Sequence, residues 1–357
     1  KMVHLIDWAN PKENDFQIAE EVTIKGTSDR RPDLVVYVNG IALAVIELKR
    51  STVSAHEGIR QNIRNQQDGY IPRFFTTIQL LFAGNDTEGL HYGVIKTSEK
   101  FWLRWKEPCG DPCEKSQFTI EEYPNELDRS VLQFFEPVRF LEFIHDFIIF
   151  DGGIKKAARP NQYFAVKASQ SRVRNKQNGI IWHSQGSGKS LTMVWLAQWI
   201  RENVNDARVV IITDRDELDK QIENGFKDVG EKIHRAKSGE QLIKMLNTAD
   251  PWLICTLIHK FGNKSEGESI AVGGKKAVKS LELYLEELAK YLPVGFSAKG
   301  NIYMFIDECH RTQGGVLHEA MKHIMGNDIM LIGFTGTPLL HTDKKKSIET
   351  FGSYIHT

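Results

Sequence analysis

Residues 179–202 read GIIWHSQGSGKSLTMVWLAQWIRE, and no other stretch restricts the fold as much. A short apolar run ends in a glycine-rich turn and passes straight into a helical segment. Further apolar runs follow in RVVIITD, PWLICTLI, NIYMFID and DIMLIGF, which are separated by amphipathic helical stretches. Strands without polar alternation are covered on both faces, so residues 152–357 are expected to form an α/β lobe, a parallel sheet flanked by helices.

The turn itself, His183–Ser190, has the composition of a phosphate cradle. Gly186, Ser187 and Gly188 let backbone N–H groups curl toward phosphate oxygens, and the helix that follows adds the positive end of its dipole. Lys189 is placed to hold the β- and γ-phosphates of ATP, and Ser190 to ligate Mg²⁺. The loop departs from the usual pattern at its first position, where His183 stands in place of Gly or Ala. A second part follows in NIYMFIDECHR. Asp307, at the carboxyl end of a strand, can hold the Mg²⁺ shell, and Glu308 can orient and deprotonate an attacking water.

The first 107 residues are built differently. LVVYV, IALAVIEL, TTIQLLFAG, HYGVIKT and FWLRWK are short apolar runs between turn signals, with a helix near Ala55–Tyr70. In RRPDLVVYVNGIALAVIELKR, Asp33, Glu47 and Lys49 place three charges on strands otherwise suited to burial, where charges need partners. Pro32-Asp33, thirteen residues, then Glu47-Leu48-Lys49 has the form of a PD-(D/E)xK nuclease site. That chemistry uses two carboxylates on one Mg²⁺ and a lysine beside the attacking water. A charged edge strand that discourages aggregation is the alternative; it accounts for Lys49 and can account for Glu47, but not for the Pro-Asp spacing.

Glu47 and Lys49 are two apart on a strand and share a face. Asp33 joins them in only some registers. A two-residue Asn39-Gly40 loop sets Asp33 opposite Ile46, on the wrong face. A three-residue loop, Val38-Asn39-Gly40, sets it opposite Val45 and diagonal to Glu47. The second register, or a bulge of equal effect, is expected. Beyond the hairpin, Ile59, Ile63, Gln66 and Tyr70 form one helical stripe in which Gln66 replaces an apolar residue.

With 357 residues, 41% of them apolar, two domains are expected: 1–107, a linker and helical connector over 108–151, and 152–357. The connector's SVLQFFEPVRFLEFIHDFIIF is expected to fill the core between domains. Asn263–Ala277 reads as a surface insertion. Lys+Arg and Asp+Glu both number 46, so any basic surface is local; Gly152–Arg201 holds nine Lys or Arg and no Asp or Glu. The four cysteines include Cys109 and Cys113 around Gly110-Asp111-Pro112, with no second pair to complete a zinc site, and they fit free thiols in a reducing compartment. No secretory segment and no run of about 18 apolar residues is seen, which predicts a soluble, cytoplasmic protein without a membrane partner. Because the chain starts at Lys1, it is expected to be a piece of something longer.

The ordered strings HSQGSGKS, IITDRDELDKQ, CTLIHKFG, DECHR and GFTGTP resemble the first RecA-like lobe of superfamily 2 helicases and translocases. The resemblance implies that Thr335, Gly336 and Thr337 couple ATP state to lobe movement. It places Thr213–Arg215 and Thr256 along a nucleic-acid strand, and gives Gln162 the role of reading adenine. It also implies an arginine finger on a second lobe, so that this chain is expected to bind ATP but hydrolyse it poorly. In the first domain, Gln-x-x-x-Tyr after Glu-x-Lys is similar to RecB-like nucleases. There Gln66 and Tyr70 would support the site or touch phosphate, the Leu48 backbone carbonyl would complete the metal ligands, and an upstream acid, Glu20 or Glu21, would be linked to the metal. The two halves together, with the joining FIIFDGGIKKAARPNQYFAV, resemble the R subunit of type I restriction–modification enzymes. That implies ATP-driven translocation on double-stranded DNA and Mg²⁺-dependent cleavage, with methyltransferase (M) and specificity (S) subunits as partners, in the cytoplasm of a bacterium or archaeon. Two other readings stay open: a DNA-repair helicase–nuclease, and a non-catalytic DNA-binding scaffold with relic sites.

Overall fold

The computed structural model describes residues 4–108, 123, 125–213, 216–257, 292, 296, 298–309, 329–337, 348 and 351–357. Cys109 and Cys113, Asp214 and Arg215, the segment 258–277 with its expected insertion, His310 and Pro338 lie outside the described residues. Two units are present, Lys1–Pro160 and Asn161–Thr357. Among the described residues no helix is long and apolar enough to cross a membrane.

The first unit is built on a six-stranded mixed sheet. Its strands, in spatial and chain order, are β1 (Phe16–Glu20), β2 (Leu34–Val38), β3 (Ile41–Leu48), β4 (Leu80–Asn85), β5 (Gly89–Gly93) and β6 (Leu103–Arg104). All neighbours are antiparallel except β3 and β4, which are parallel and joined through α1 (Ala55–Asn65). Helix α1 covers one face, where Val35, Val45, Ile59, Leu81 and Ala83 form a core. The expected helix to Tyr70 stops at Asn65, with Gln66 as its C-cap and a turn through Asp68-Gly69 beyond it.

The aromatic segment after the linker, expected to lie between domains, is part of the first unit. It forms α2 (Glu126–Phe134), α3 (Pro137–Asp146) and the hairpin of β7 (Ile148–Asp151) and β8 (Ile154–Ala157), all within the first unit. Phe134 meets Phe82 and Trp105 edge-on at 4.9 and 4.7 Å, and Phe143 meets Tyr92 at 5.8 Å. Phe82 and Tyr92 are paired across β4 and β5, so these helices cover the face opposite α1. Burial of both faces explains why β4 carries no polar alternation.

The second unit is a seven-stranded parallel sheet. In chain order it comprises α4 (Pro160–Arg174), β9 (Gly179–Trp182), α5 (Lys189–Asn203), β10 (Ala207–Thr213), α6 (Asp216–Asp228), β11 (His234–Ala236), α7 (Gly239–Leu246), β12 (Leu253–Leu257), β13 (Asn301–Ile306), β14 (Met330–Thr335) and β15 (Tyr354–His356). The spatial order is β11-β12-β10-β13-β14-β9-β15, and every pairing is parallel. The five apolar runs read from the sequence are its central strands; the short edges β11 and β15 carry no such run. The phosphate loop leaves β9, the acidic pair leaves β13, and β14 lies between them. At the other end of the sheet Arg208 is buried, and its guanidinium donates to the carbonyls of Met245, Leu246, Thr248, Pro251 and Lys299.

Candidate functional sites

The first site depends on a hairpin whose turn is shorter than expected. Val38 pairs with Ile41 across Asn39 and Gly40, both with positive φ, so the loop has two residues and not three. The register then shifts. Tyr37 pairs with Ala42 but Val36 pairs with Ala44, leaving Leu43 as an extra residue in β3. Leu34 consequently faces Ile46, and the next position on each strand is Asp33 and Glu47. The bulge therefore sets the two acids across from each other on the face that α1 covers, where the expected loop would have made them diagonal.

Around them the groups converge. Asp33 Oδ2 accepts the Leu48 backbone N–H at 2.7 Å. Lys49 Nζ lies 3.8 Å from Asp33 Oδ2 and 3.9 Å from Glu47 Oε2, and donates to the Leu48 carbonyl at 3.1 Å. Three oxygens from three residues thus surround one positive group. Glu47 is fully buried beneath α1, and neither carboxylate oxygen has a hydrogen-bond partner among the described residues. Gly58 makes this possible, since a Cβ there would stand 3.0 Å from the Glu47 carbonyl and 3.3 Å from its Cβ. Burial, reinforced by the Asp33 charge, pushes the Glu47 carboxyl up to about 8 against the opposing pull of Lys49. A buried carboxylate with orphaned oxygens, beside the part-exposed Asp33 carboxylate and a facing carbonyl, fits a hard divalent cation such as Mg²⁺, which prefers oxygen ligands.

Of the residues expected to support this site, Glu20 is placed otherwise than the resemblance implies. Gln66 Nε2 donates to the Asn62 carbonyl at 3.0 Å, and its Oε1 accepts the Lys96 N–H at 2.8 Å, so both ends of the amide tie down the end of α1. Tyr70 lies past the helix with the Arg30 guanidinium 4.2 Å over its ring. Glu20 pairs with Leu34, and Leu34 with Ile46, so Glu20 belongs to the face opposite Asp33 and Glu47. Glu21 donates its N–H to the Asp33 carbonyl and pairs its carboxylate with Arg31 at 3.5 Å. On the buried side of α1, Asn62 donates to the Phe82 carbonyl at 2.9 Å, a tie that no sequence pattern announced.

The second site gathers at the carboxyl ends of β9, β13 and β14. Gly186 and Gly188 hold φ of 81° and 88°, values that only glycine adopts readily, and Gly188 caps α5. Lys189 opens α5 and Ser190 follows it, both half-buried. Lys189 Nζ is 3.5 Å from Glu308 Oε1. Gly336 leaves space for that ammonium, since a Cβ there would lie 2.6 Å from it. Asp307 is buried and accepts the Glu308 N–H at 3.0 Å. Glu308 takes a φ of 48°, a left-handed conformation that a non-glycine residue adopts at a cost and that aims its side chain at the loop. Thr335 Oγ1 donates to the Thr337 carbonyl at 3.2 Å and accepts the Thr337 N–H at 3.3 Å, folding the turn that carries Gly336. Gln162 is buried, and its Nε2 donates to the Gly188 carbonyl at 2.9 Å, bracing the phosphate loop. Thr213 and Thr256 are buried at the ends of β10 and β12.

A parallel sheet with a glycine loop after one strand and an acidic pair two strands away defines a RecA-like P-loop lobe. The profile of the SWI2/SNF2 ATPase family matches residues 161–357, and that of the type I restriction enzyme R protein N terminus matches residues 1–100. Two curated relatives align along nearly the whole chain. The type I restriction enzyme SsaAORF53P endonuclease subunit of Staphylococcus saprophyticus is 28% identical over 97% of this chain and 34% of its own length. The HindI endonuclease subunit of Haemophilus influenzae is 26% identical over 99% of this chain and 34% of its own. This chain belongs to the SWI2/SNF2 ATPase family, and its first 100 residues are similar to the N terminus of type I restriction enzyme R proteins. It spans about a third of the length of those relatives.

Proposed function

We propose that this chain couples ATP-driven translocation along double-stranded DNA to Mg²⁺-dependent cleavage of that DNA, as part of a type I restriction complex with methyltransferase and specificity subunits. The observation that carries the cutting half is the convergence of Asp33, Glu47 and the Leu48 carbonyl on one cationic position, with both Glu47 oxygens buried and unmatched. Asp33, Glu47 and the Leu48 carbonyl would hold the metal. When bound, Mg²⁺ supplies Lewis-acid polarisation of phosphate and a more acidic water. Lys49, within 4 Å of both carboxylates, steadies the attacking water and the charge that grows on phosphate.

In the second unit Gly186 and Gly188 offer backbone N–H groups to the phosphates of ATP. The Ser187 N–H, which donates to the Ser184 carbonyl at 3.1 Å, would have to turn away to join them. Gln162 stiffens the loop from behind. Lys189 contacts the β- and γ-phosphates; Ser190 and Asp307 would hold Mg²⁺, which screens phosphate charge. Glu308 orients the attacking water, and the Thr335-Gly336-Thr337 turn beside Lys189 senses the γ-phosphate. Nicking of duplex DNA in Mg²⁺ by the intact chain, by Glu47→Ala and by Lys49→Ala tests the cutting half. Each variant is expected to lose at least about 100-fold in rate, the scale of one transition-state donor. Equal rates for all three would refute it.

A further inference from the structure

His183 opens the phosphate loop where glycine or alanine is usual, and its side chain has a partner from a distant part of the chain. The residue is 3% exposed. Its backbone N–H donates to the Thr335 carbonyl at 3.1 Å, and its Nε2 lies 3.1 Å from His356 Nδ1, with the two rings perpendicular. His183 Nδ1 has no partner among the described residues, so one side-chain hydrogen bond holds the ring.

His356 reaches this place through an irregularity in β15. Tyr354 pairs with Ile180, but His356 pairs with Ile181, so Ile355 is an extra residue. In a regular strand His356 would share the face of Tyr354. The bulge turns it to the face of Ile181, which is also the face of His183 two residues on. The displaced Ile355 seats against Gly179, where a Cβ would meet Ile355 Cγ1 at 2.2 Å. Any larger residue at 179 would expel Ile355 and undo the bulge.

At this separation one imidazole donates and the other accepts, so the pair carries a single proton between the two nitrogens. Burial, the second imidazole and the nearby Lys189 charge push His183 down to about 4, which keeps the ring neutral near pH 7. We propose that His183 and His356 are a positioning pair that holds the mouth of the phosphate loop in its nucleotide-binding geometry by tying it to β15. The proposal rests on the reading of that loop as the ATP site.

The test is the affinity of the intact chain for Mg·ATP, with thermal midpoints recorded alongside. His356→Leu and His183→Ala are each expected to weaken binding more than threefold, and the double variant no further than the weaker single one. His356→Asn, which can still reach the ring with a polar atom, is expected to stay within threefold of the parent. In ¹⁵N-histidine-labelled protein, a through-bond coupling between two imidazole nitrogens is expected and should vanish in either single variant. Single variants within threefold of the parent, or an Asn variant as weak as the Leu variant, would overturn the proposal. Should His356→Leu fail to fold, His183→Ala, which leaves β15 untouched, decides alone. A parent that binds no Mg·ATP would instead refute the reading of the loop.

Discussion

Glu47 stands in a strand whose other positions are filled by Ile, Ala, Val and Leu, and it is as buried as Ala42 to Ile46 before it. A carboxylate held there without a hydrogen bond is costly unless a cation completes it, which is why the residue marks a site. Gly336 is its counterpart in the second unit, where the absence of a side chain is what matters. In Gly336→Ala the new Cβ would occupy the space of the Lys189 ammonium, 2.6 Å away, so Mg·ATP affinity should fall about tenfold, or ~1.4 kcal/mol. The melting temperature should change by no more than about 2 °C, because only the free end of a lysine has to move. Unchanged affinity in a titration would contradict this role for the turn. His183 supplies a pH dependence. Its folded-state value of about 4 lies below the ordinary 6.5, so the unfolded chain takes up a proton that the folded chain refuses. Stability from this residue is complete above pH 6.5 and falls as pH drops from 6.5 toward 4, by up to ~1.4 kcal/mol per pH unit. Denaturant midpoints for the parent and His183→Asn across that range should diverge; parallel curves would show that the imidazole is not the source.

Elements decide what those residues can reach. The PD-(D/E)xK spacing announces the acids, but only the bulge at Leu43 makes Asp33 and Glu47 face each other, and only Gly58 lets α1 lie close enough to bury Glu47. The stripe Ile59, Ile63, Gln66, Tyr70 presumes a helix that continues, whereas α1 ends at Asn65 and Gln66 becomes a cap whose amide is engaged at both ends. Arg208 shows the reverse case, a residue with no legible motif and a large structural role. Its six hydrogen bonds close the end of α7 and the loops beside it. Arg208→Met fills part of the volume but leaves five carbonyls without that donor, so unfolding free energy should drop by about 3 kcal/mol or more. A loss below ~1 kcal/mol in chemical denaturation would mean that water replaces the guanidinium at little cost.

In the whole molecule the two candidate sites belong to separate units, Lys1–Pro160 and Asn161–Thr357, each with its own sheet. Lys49→Ala should therefore leave Mg·ATP affinity within about twofold, under 0.5 kcal/mol, while Lys189→Ala abolishes it. A Lys49→Ala chain with impaired nucleotide binding would show that the sites are not independent. By itself the sequence determined the parallel sheet of the second unit, the phosphate loop, the Asp307-Glu308 pair and the identity of the three charged residues in the hairpin. These are local properties, carried by unbroken apolar runs and by contiguous residues whose spacing is the chemistry. Tertiary structure alone decided that Asp33 meets Glu47 across the strands, that Glu20 points away, that Gln66 serves a helix end, and that His356 closes on the phosphate loop. Each of these depends on strand register or on contact between residues far apart in the chain. A one-residue shift reverses every side chain beyond it, and local composition does not record such a shift.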